Sequence, residues 1–328
     1  MELFNVKRSI SKIITYLVLG VGGMIMIFPF YWMAMSSLKS PDEIIKFPPT
    51  LIPEAKYYIE NESSDEDMER VEIIQEIGDK VKVKIIRGLD IGKVITLPKE
   101  KLIKKRFIFE NYLRAWLAAP FDRYFLNNMF MASSVTFLGI ITSLLAGFAF
   151  AKMNFPFKKS LFMILIATLM IPGQMLLIPN YIILAKMRWI NTYYALIIPL
   201  SVQIFSIYFL TQFIETLPQD IFDAAAIDGC TPLQVLKEII IPLSRTVILT
   251  TGLIAFIGSW NALLWPLIVT NSPEMRTLQV GLAVFRQESG TDWELLTAAA
   301  TFSLAPLILM FFFVQKHYIE GIARSGLK

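Results

Sequence analysis

The sequence predicts an all-α polytopic membrane protein: six transmembrane helices in a bundle, with a small β-rich insertion outside the membrane between the first two. Three observations lead there. Mean hydropathy is +0.56, and 55% of the 328 residues are hydrophobic. Only 18% are charged, where a soluble domain carries about 25%. Finally, 32 of the 58 charged residues crowd between Lys39 and Arg123, leaving long apolar runs elsewhere. This excludes a single soluble globule and a disordered chain. The net charge of +4 belongs to no basic face, which argues against nucleic acid as a partner. A single cysteine, Cys230, excludes a disulfide framework; a single histidine, His317, excludes a His-based metal cluster, and no metal site is expected.

A hydrocarbon core of about 30 Å needs about 20 apolar residues in helical form. The first such run, Ile13–Leu38, is too long and too aromatic at its far end for a cleaved signal peptide and reads as a retained anchor. Residues 39–123 follow as an extracytoplasmic loop. Within it, residues from about 55 to 106 form an insertion, acidic at first (Glu60–Glu72) and then β-like. Val71–Ile77 and Val81–Ile86 flank Gly78-Asp79, a two-residue hairpin signal, and Val94–Leu97 and Leu102–Ile108 add two further strands. A sheet of three or four antiparallel strands is expected, near the lower limit of independent stability.

Residues 124–328 form the core domain, with five more spans: Tyr124–Ala151, Ser160–Ala185, Asn191–Phe213, Thr246–Thr270 and Leu295–Gln315. None contains Asp, Glu, Lys or Arg. Lipid offers backbone groups no partner, so all are expected to be helices. On the second span Gly139, Ser143, Gly147 and Ala151 recur every four residues, a stripe where another helix can approach closely. Pro172, Pro179, Pro199, Pro266 and Pro306 interrupt or border spans, as suits a pathway lined by freed carbonyls. With the N-terminus cytoplasmic, short inside segments hold 11 Lys/Arg and short outside connections 4, which puts both termini inside.

The chain carries no visible energy source. No phosphate-binding GxxxxGK[ST] loop occurs; Gly88 with Gly92-Lys93-Val94 has the wrong spacing and no hydroxyl. The spans hold no ionisable group for proton coupling and no base for hydrolysis, which disfavours a self-sufficient carrier and a membrane enzyme. The energy must come from a partner.

The connection of about residues 216–245 reads as helix, sharp turn, helix. Pro218 suits a first turn, with Asp220 at the positive dipole end. Ala224, Ala225 and Ala226 are strong helix formers, and Gly229 can end the helix in the left-handed conformation. Thr231-Pro-Leu-Gln234 has the capping-box pattern. Leu233, Leu236 and Ile240 are expected on one face, with Pro242 closing the element.

Asp223-Ala224-Ala225, then Gly229, then Ile239-x-Ile241-Pro242 resembles the EAA loop of ABC importer permeases, with aspartate in place of glutamate and Ile241 in place of leucine. The resemblance extends to the maltose/maltodextrin-type carbohydrate permeases. It runs through Ser37–Ile44, Phe47–Pro53, Leu169–Gln174, Gly258–Pro266, Gly290–Trp293 and the tail Gly321–Lys328. It implies that the chain binds no cofactor itself. ATP and Mg would sit on two cytoplasmic ATPase subunits whose cleft receives the loop as a coupling helix. It also implies a second homologous permease, an extracytoplasmic solute-binding protein, a sugar substrate and a prokaryotic inner membrane. Asp223 takes the acidic docking position, Ala224 and Ala225 the close packing, and Gly229 the turn, with Thr231 and Pro242 framing the second helix. That family has only a short connection where this chain has the 55–106 insertion. A polyol or glycerol phosphate is the alternative cargo.

Five side chains are candidates for the pathway: Gln174, Gln203, Trp260, Asn261 and Trp265. Amides and aromatic rings suit sugars, whose hydroxyls need donors and acceptors and whose faces stack on rings. The same residues also serve as interhelical clamps and an interfacial tryptophan belt. Gly290, Thr291, Asp292 and Trp293 end the outer connection of about Asn271–Glu294. The resemblance makes them candidates for binding-protein contact, and Thr291 or Asp292 equally suits an N-cap of the last span.

Overall fold

The computed structural model describes residues 2–59, 69–87, 90–287, 290–313 and 315. From the N-terminus, α1 (Glu2–Ser36) and the one-turn α2 (Pro41–Ile44) precede β1 (Lys56–Ile59), β2 (Glu69–Ile77), β3 (Lys80–Arg87), β4 (Val94–Pro98) and β5 (Ile103–Lys105). Next come α3 (Glu110–Leu117), α4 (Phe121–Lys152), α5 (Lys158–Ala167), α6 (Leu177–Lys186), α7 (Tyr193–Ile197) and α8 (Ile204–Glu215). Then α9 (Gln219–Ile227), α10 (Pro232–Gln234), α11 (Ile241–Leu243), α12 (Arg245–Trp260), α13 (Leu264–Val269) and α14 (Leu278–Leu282) lead to strands β6 (Arg286–Gln287) and β7 (Gly290–Thr291) and to α15 (Trp293–Ser303). These elements form two compact units, one of Met1–Ala118 with Phe285–Ser303 and the other of Ala119–Val284 with Leu304–Lys328.

In the first unit, α1 is about 50 Å long at 1.5 Å per residue, and none of its apolar window is buried within the chain. The insertion is a five-stranded antiparallel sheet of order β4-β3-β2-β1-β5. The β2–β3 hairpin turns at Gly78-Asp79 with Ile77 opposite Lys80, and Gly78 supplies the positive φ of 58°. Along β3, Val81, Val83 and Ile85 enter the core while Lys80, Lys82 and Lys84 face out, the period-2 alternation of a half-buried strand. Five strands replace the expected three or four. β1 is only four residues long and pairs with β2 on one edge and β5 on the other, partners its own pattern does not announce. The expected strand Leu102–Ile108 shortens to Ile103–Lys105.

A buried polar cluster joins this sheet to the end of α1. Lys39 is 1% exposed, lies 4.5 Å from the Trp32 ring centroid and donates to the Thr50 carbonyl. Glu43 accepts from Thr50 Oγ1 at 2.9 Å and from the Glu54 amide at 2.8 Å. Asn111 Nδ2 donates to the carbonyls of Ser37 and Lys39, both at 2.9 Å. Burial lowers the Lys39 ammonium against the raising pull of Glu43 and Glu54. Burial alone would raise the Asp42 carboxyl, yet hydrogen bonds from Lys56 and Arg70 hold it at about 2.

In the second unit, Gly139, Ser143 and Gly147 of α4 are buried, and Ala151 is half-buried. A Cβ at Gly147 would lie 3.2 Å from Leu210 Cβ of α8, and one at Gly139 3.1 Å from Gln203 Nε2. The stripe is thus where α8 approaches, and α12 meets α4 at Gly252 against Ile140. Four helices are long and apolar enough to cross a membrane unbroken: Lys12–Ser36, Phe121–Lys152, Tyr193–Glu215 and Trp293–Phe313. Two more candidates are bent pairs, Lys158–Met170 with Gly173–Lys186 at 96° and Pro232–Leu243 with Arg245–Trp260 at 82°. The expected straight span Ser160–Ala185 therefore breaks at Ile171-Pro172, where Ile171 is extended (ψ 115°), as a residue before proline prefers. The expected span Thr246–Thr270 stops at Trp260 and restarts as α13, with Pro266 in its first turn where no intrahelical N–H is needed. Predicted features at His317 and Gly321–Lys328 lie outside the described residues.

Two predictions follow from these contacts. A Cβ at the buried Gly281 would run into the Tyr124 ring, so Gly281→Ala should cost about 1–3 kcal/mol by overpacking. Gly258→Ala, with nothing within 4 Å, is the matched control in a detergent melting assay. Because the Asp42 carboxyl is held below its ordinary 3.8, its stabilisation is present above that value and lost as pH falls toward about 2. Asp42→Asn should therefore melt below the wild type above about pH 4 and converge with it near pH 2.

Candidate functional site

The Pro218–Pro242 connection is a stiff elbow, and its stiffness comes from local hydrogen bonds. α9 starts after Pro218 with Asp220 in its first turn. It ends in paired bonds from the Gly229 amide to the Ala226 carbonyl at 3.2 Å and from the Cys230 amide to the Ala225 carbonyl at 2.9 Å. That closure needs a left-handed residue, and Gly229 supplies it with φ 72°. Thr231 then starts the second arm. Its amide donates to Gln234 Oε1 at 2.7 Å, and the Gln234 amide donates back to Thr231 Oγ1 at 3.4 Å, the reciprocal capping box.

The second arm differs from expectation at two points. Pro242 does not close it; the helix runs through Pro242 to Leu243 and bends at Ser244. Residues Val235–Ile240 are π-helical, a widened turn that accommodates the missing proline N–H further on. Leu233 does not share the buried face of Leu236 and Ile240: it lies in the first turn of the arm and is 70% exposed. Phe222, Leu236 and Ile240 pack with Leu144 and Phe148 of α4 and with Leu210 and Ile214 of α8. Ala225 is buried, whereas Asp223, Ala224 and Cys230 are exposed. Gln219 Nε2 donates to Asp223 Oδ1 at 3.0 Å, leaving the second carboxylate oxygen of that exposed group open to other donors. Ile227 is 86% exposed at the tip. The elbow presents an acid, a small flat alanine surface and two apolar knobs while its inner face is locked onto two long helices.

The five pathway candidates fall into two groups. Gln174 is exposed on the turn that follows the Pro172 bend. Asn261 is exposed just past the end of α12, and Gln203 is half-buried at the break before α8, accepting from Ser206 Oγ at 3.2 Å. Among the described residues no hydrogen bond joins these three amides to one another. Trp260 is fully buried, stacked on Phe256 and edge-on to Phe125, with both centroids at 5.7 Å. Trp265 is 7% exposed, and its Nε1 donates to the Ala195 carbonyl at 2.9 Å. Both tryptophan rings pack the interior of this unit.

Amide clamps are built by Asn127 and Asn128 of α4 and by Asn191 between α6 and α7, rather than by Asn261. Asn128 Nδ2 donates to the Trp260 carbonyl at 3.1 Å. Asn127 Nδ2 donates to the carbonyls of Glu274 and Arg276 at 2.7 and 2.9 Å and accepts from the Tyr193 hydroxyl at 2.6 Å. Asn191, left-handed at φ 62°, accepts from the amides of Asn271 and Ser272 at 2.9 and 3.1 Å. The available signal was two adjacent amides, Asn127 and Asn128, in an otherwise apolar run.

Gly290 and Thr291 form β7, pairing with Gln287 and Arg286 of β6. The Asp292 amide donates to the Phe285 carbonyl at 3.0 Å, and the Asp292 carbonyl accepts from the Leu296 amide at 2.8 Å, which starts α15. Trp293 is 47% exposed.

Residues 139–324 match the family described as "Binding-protein-dependent transport system inner membrane component". The chain is 31% identical to the arabinooligosaccharides transport system permease protein AraQ of Halalkalibacterium halodurans, over 62% of this chain and 74% of that one. It is 26% identical to the sn-glycerol-3-phosphate transport system permease protein UgpE of Agrobacterium fabrum, over 97% of this chain and 98% of that one. Among solved structures, a bacterial ABC transporter involved in the import of the acidic polysaccharide alginate shares the fold, with a TM-score of 0.67 at 18% identity. It covers 94% of this chain and 97% of that chain. The chain belongs to the family of binding-protein-dependent transport system inner membrane components, and it is a permease of an ABC importer.

Proposed function

We propose that this permease spans the membrane six times, with both termini cytoplasmic and each bent helix pair counted as one span, and that it carries a sugar or oligosaccharide. The observation that carries the mechanism is the elbow: a rigid, exposed tip at Asp223, Ala224, Ile227 and Gly229 whose base is wedged between α4 and α8. Two cytoplasmic ATPase subunits receive that tip, directly on this chain and on a second homologous permease. When they close on ATP and Mg, the elbow moves with them and α4 and α8 follow, because Phe222, Leu236 and Ile240 leave no slack between them. The pathway then opens outward to a loaded solute-binding protein, against which the connection ending at Gly290–Trp293 is placed. The chain itself supplies no phosphate chemistry.

Gln174, Gln203 and Asn261 are the amides assigned to the pathway. A neutral solute is favoured because the predicted spans contain no Lys or Arg to meet a phosphate. The near full-length likeness to glycerol-phosphate permeases supports the alternative cargo. ATPase stimulation by cognate binding protein, loaded in turn with neutral oligosaccharide and with glycerol phosphate, separates them; the sugar reading requires the larger response from the first.

Two experiments test the elbow. Cys230 is the sole cysteine and is exposed, so a membrane-impermeant maleimide should leave intact spheroplasts unlabelled and react once they are permeabilised. Gly229→Val places a β-branched residue at φ 72° and should cost the turn about 1–2 kcal/mol, abolishing copurification with the ATPase while membrane insertion persists. Gly229→Asn, which tolerates that conformation, should retain most of the copurification.

A further inference from the structure

We propose that Lys152 and Asn127, at opposite ends of α4, are positioning residues of the transport cycle that tie the elbow and the segment Glu274–Arg276 to one rigid helix. Lys152 closes α4. Its Nζ donates to the Leu217 carbonyl at 3.0 Å and to Gln219 Oε1 at 3.4 Å, and it lies 4.3 Å from the centroid of the Phe222 ring. It thus grips the elbow at three points of its entry. A plain capping role does not account for this, because Lys158 Nζ already meets the carbonyls of Ala151 and Met153 at 3.3 and 3.0 Å. The donors of Lys152 go to the neighbouring element instead.

Asn127 lies 25 residues away, about 37 Å along the helix at 1.5 Å per residue. It is 2% exposed, and its amide nitrogen serves the carbonyls of Glu274 and Arg276, while its oxygen takes the Tyr193 hydroxyl. Those carbonyls lie in the short turn Ser272–Arg276, held by bonds from the Met275 amide to the Ser272 carbonyl at 3.1 Å and from the Arg276 amide to the Pro273 carbonyl at 3.2 Å. Between the two grips α4 contains no proline and no break, and it is flanked by α8 along Gly139–Gly147 and by α12 at Ile140. A helix held this way moves as a body. Displacing the elbow pulls on Lys152, and the same displacement reaches the Glu274–Arg276 turn through Asn127.

This inference rests on the reading above that the elbow meets an ATPase and that the 271–294 connection faces the binding protein. The test is solute imported per ATP hydrolysed by the reconstituted full complex with its binding protein. Lys152→Met keeps the stem and loses the donors; Asn127→Asp keeps the size and sets a carboxylate against two carbonyls. Each should assemble with its partners yet lower the ratio about five-fold, within the range by which residues remote from both ligands modulate coupling. Lys152→Arg should restore it. The double variant should be no worse than the worse single, since one break already severs the link. An unchanged ratio in either single variant, or a double loss equal to the product of the singles, would overturn the proposal. Should either variant fail to insert, Lys152→Gln and Asn127→Ala are read by the same ratio. Failure of the underlying reading looks different: the wild type would copurify with no ATPase, or Cys230 would be labelled from outside.

Discussion

In a bilayer, apolar side chains gain little by leaving lipid for one another, so helices associate through close packing and a few polar contacts. α4 meets that constraint with Gly139, Ser143 and Gly147, which admit α8 until Leu210 and Gln203 sit at the distance a Cβ would need. The base of the elbow depends on that approach. With α4 and α8 in register, Leu144, Phe148, Leu210 and Ile214 make one continuous apolar seat, and Phe222, Leu236 and Ile240 of the elbow fill it. A bulkier stripe would part the helices and leave the elbow without a base.

The elbow derives its stiffness differently. Its bend is held by hydrogen bonds between residues three to five apart: the glycine closure of α9 and the Thr231–Gln234 box. Such bonds survive rigid-body motion of the helices beneath them. The π-helical stretch carries Leu236 and Ile240 into the seat, and beyond it the second arm bends at Ser244 as it passes into α12. Rigidity at the tip and a bend at the root suit a lever, the geometry expected of a subunit that moves because another polypeptide pushes it.

The first unit solves a separate problem. A five-stranded sheet is small, and buried charged and polar groups tie it to the end of α1. Lys39 and Glu43 are buried but satisfied, and Asp42 is bracketed by Lys56 and Arg70, so the loop after α1 and the strands β1 and β2 are cross-linked by named ionic and carbonyl contacts. Removing one partner would leave a buried charge exposed to the full cost of desolvation.

What the sequence by itself determined is whatever depends on composition or on partners a few residues away. The apolar runs, the Gly78-Asp79 hairpin, the left-handed Gly229 and the capping box are of this kind, and so is the stripe on α4. Only the tertiary structure decided the rest. The size of the bend at Pro172, the pairing of β1 with both β2 and β5, and the roles of the amides and tryptophans all depend on contacts between distant segments. In the sequence Trp260 and Trp265 suit a solute-facing ring or an interfacial belt equally, and nothing in the local pattern assigns partners to Asn127 and Asn128. In the fold the rings fill the interior of the unit, and the two asparagines hold carbonyls more than a hundred residues away. A side chain's local pattern states which bonds it can make, and the fold alone states which partner is within reach.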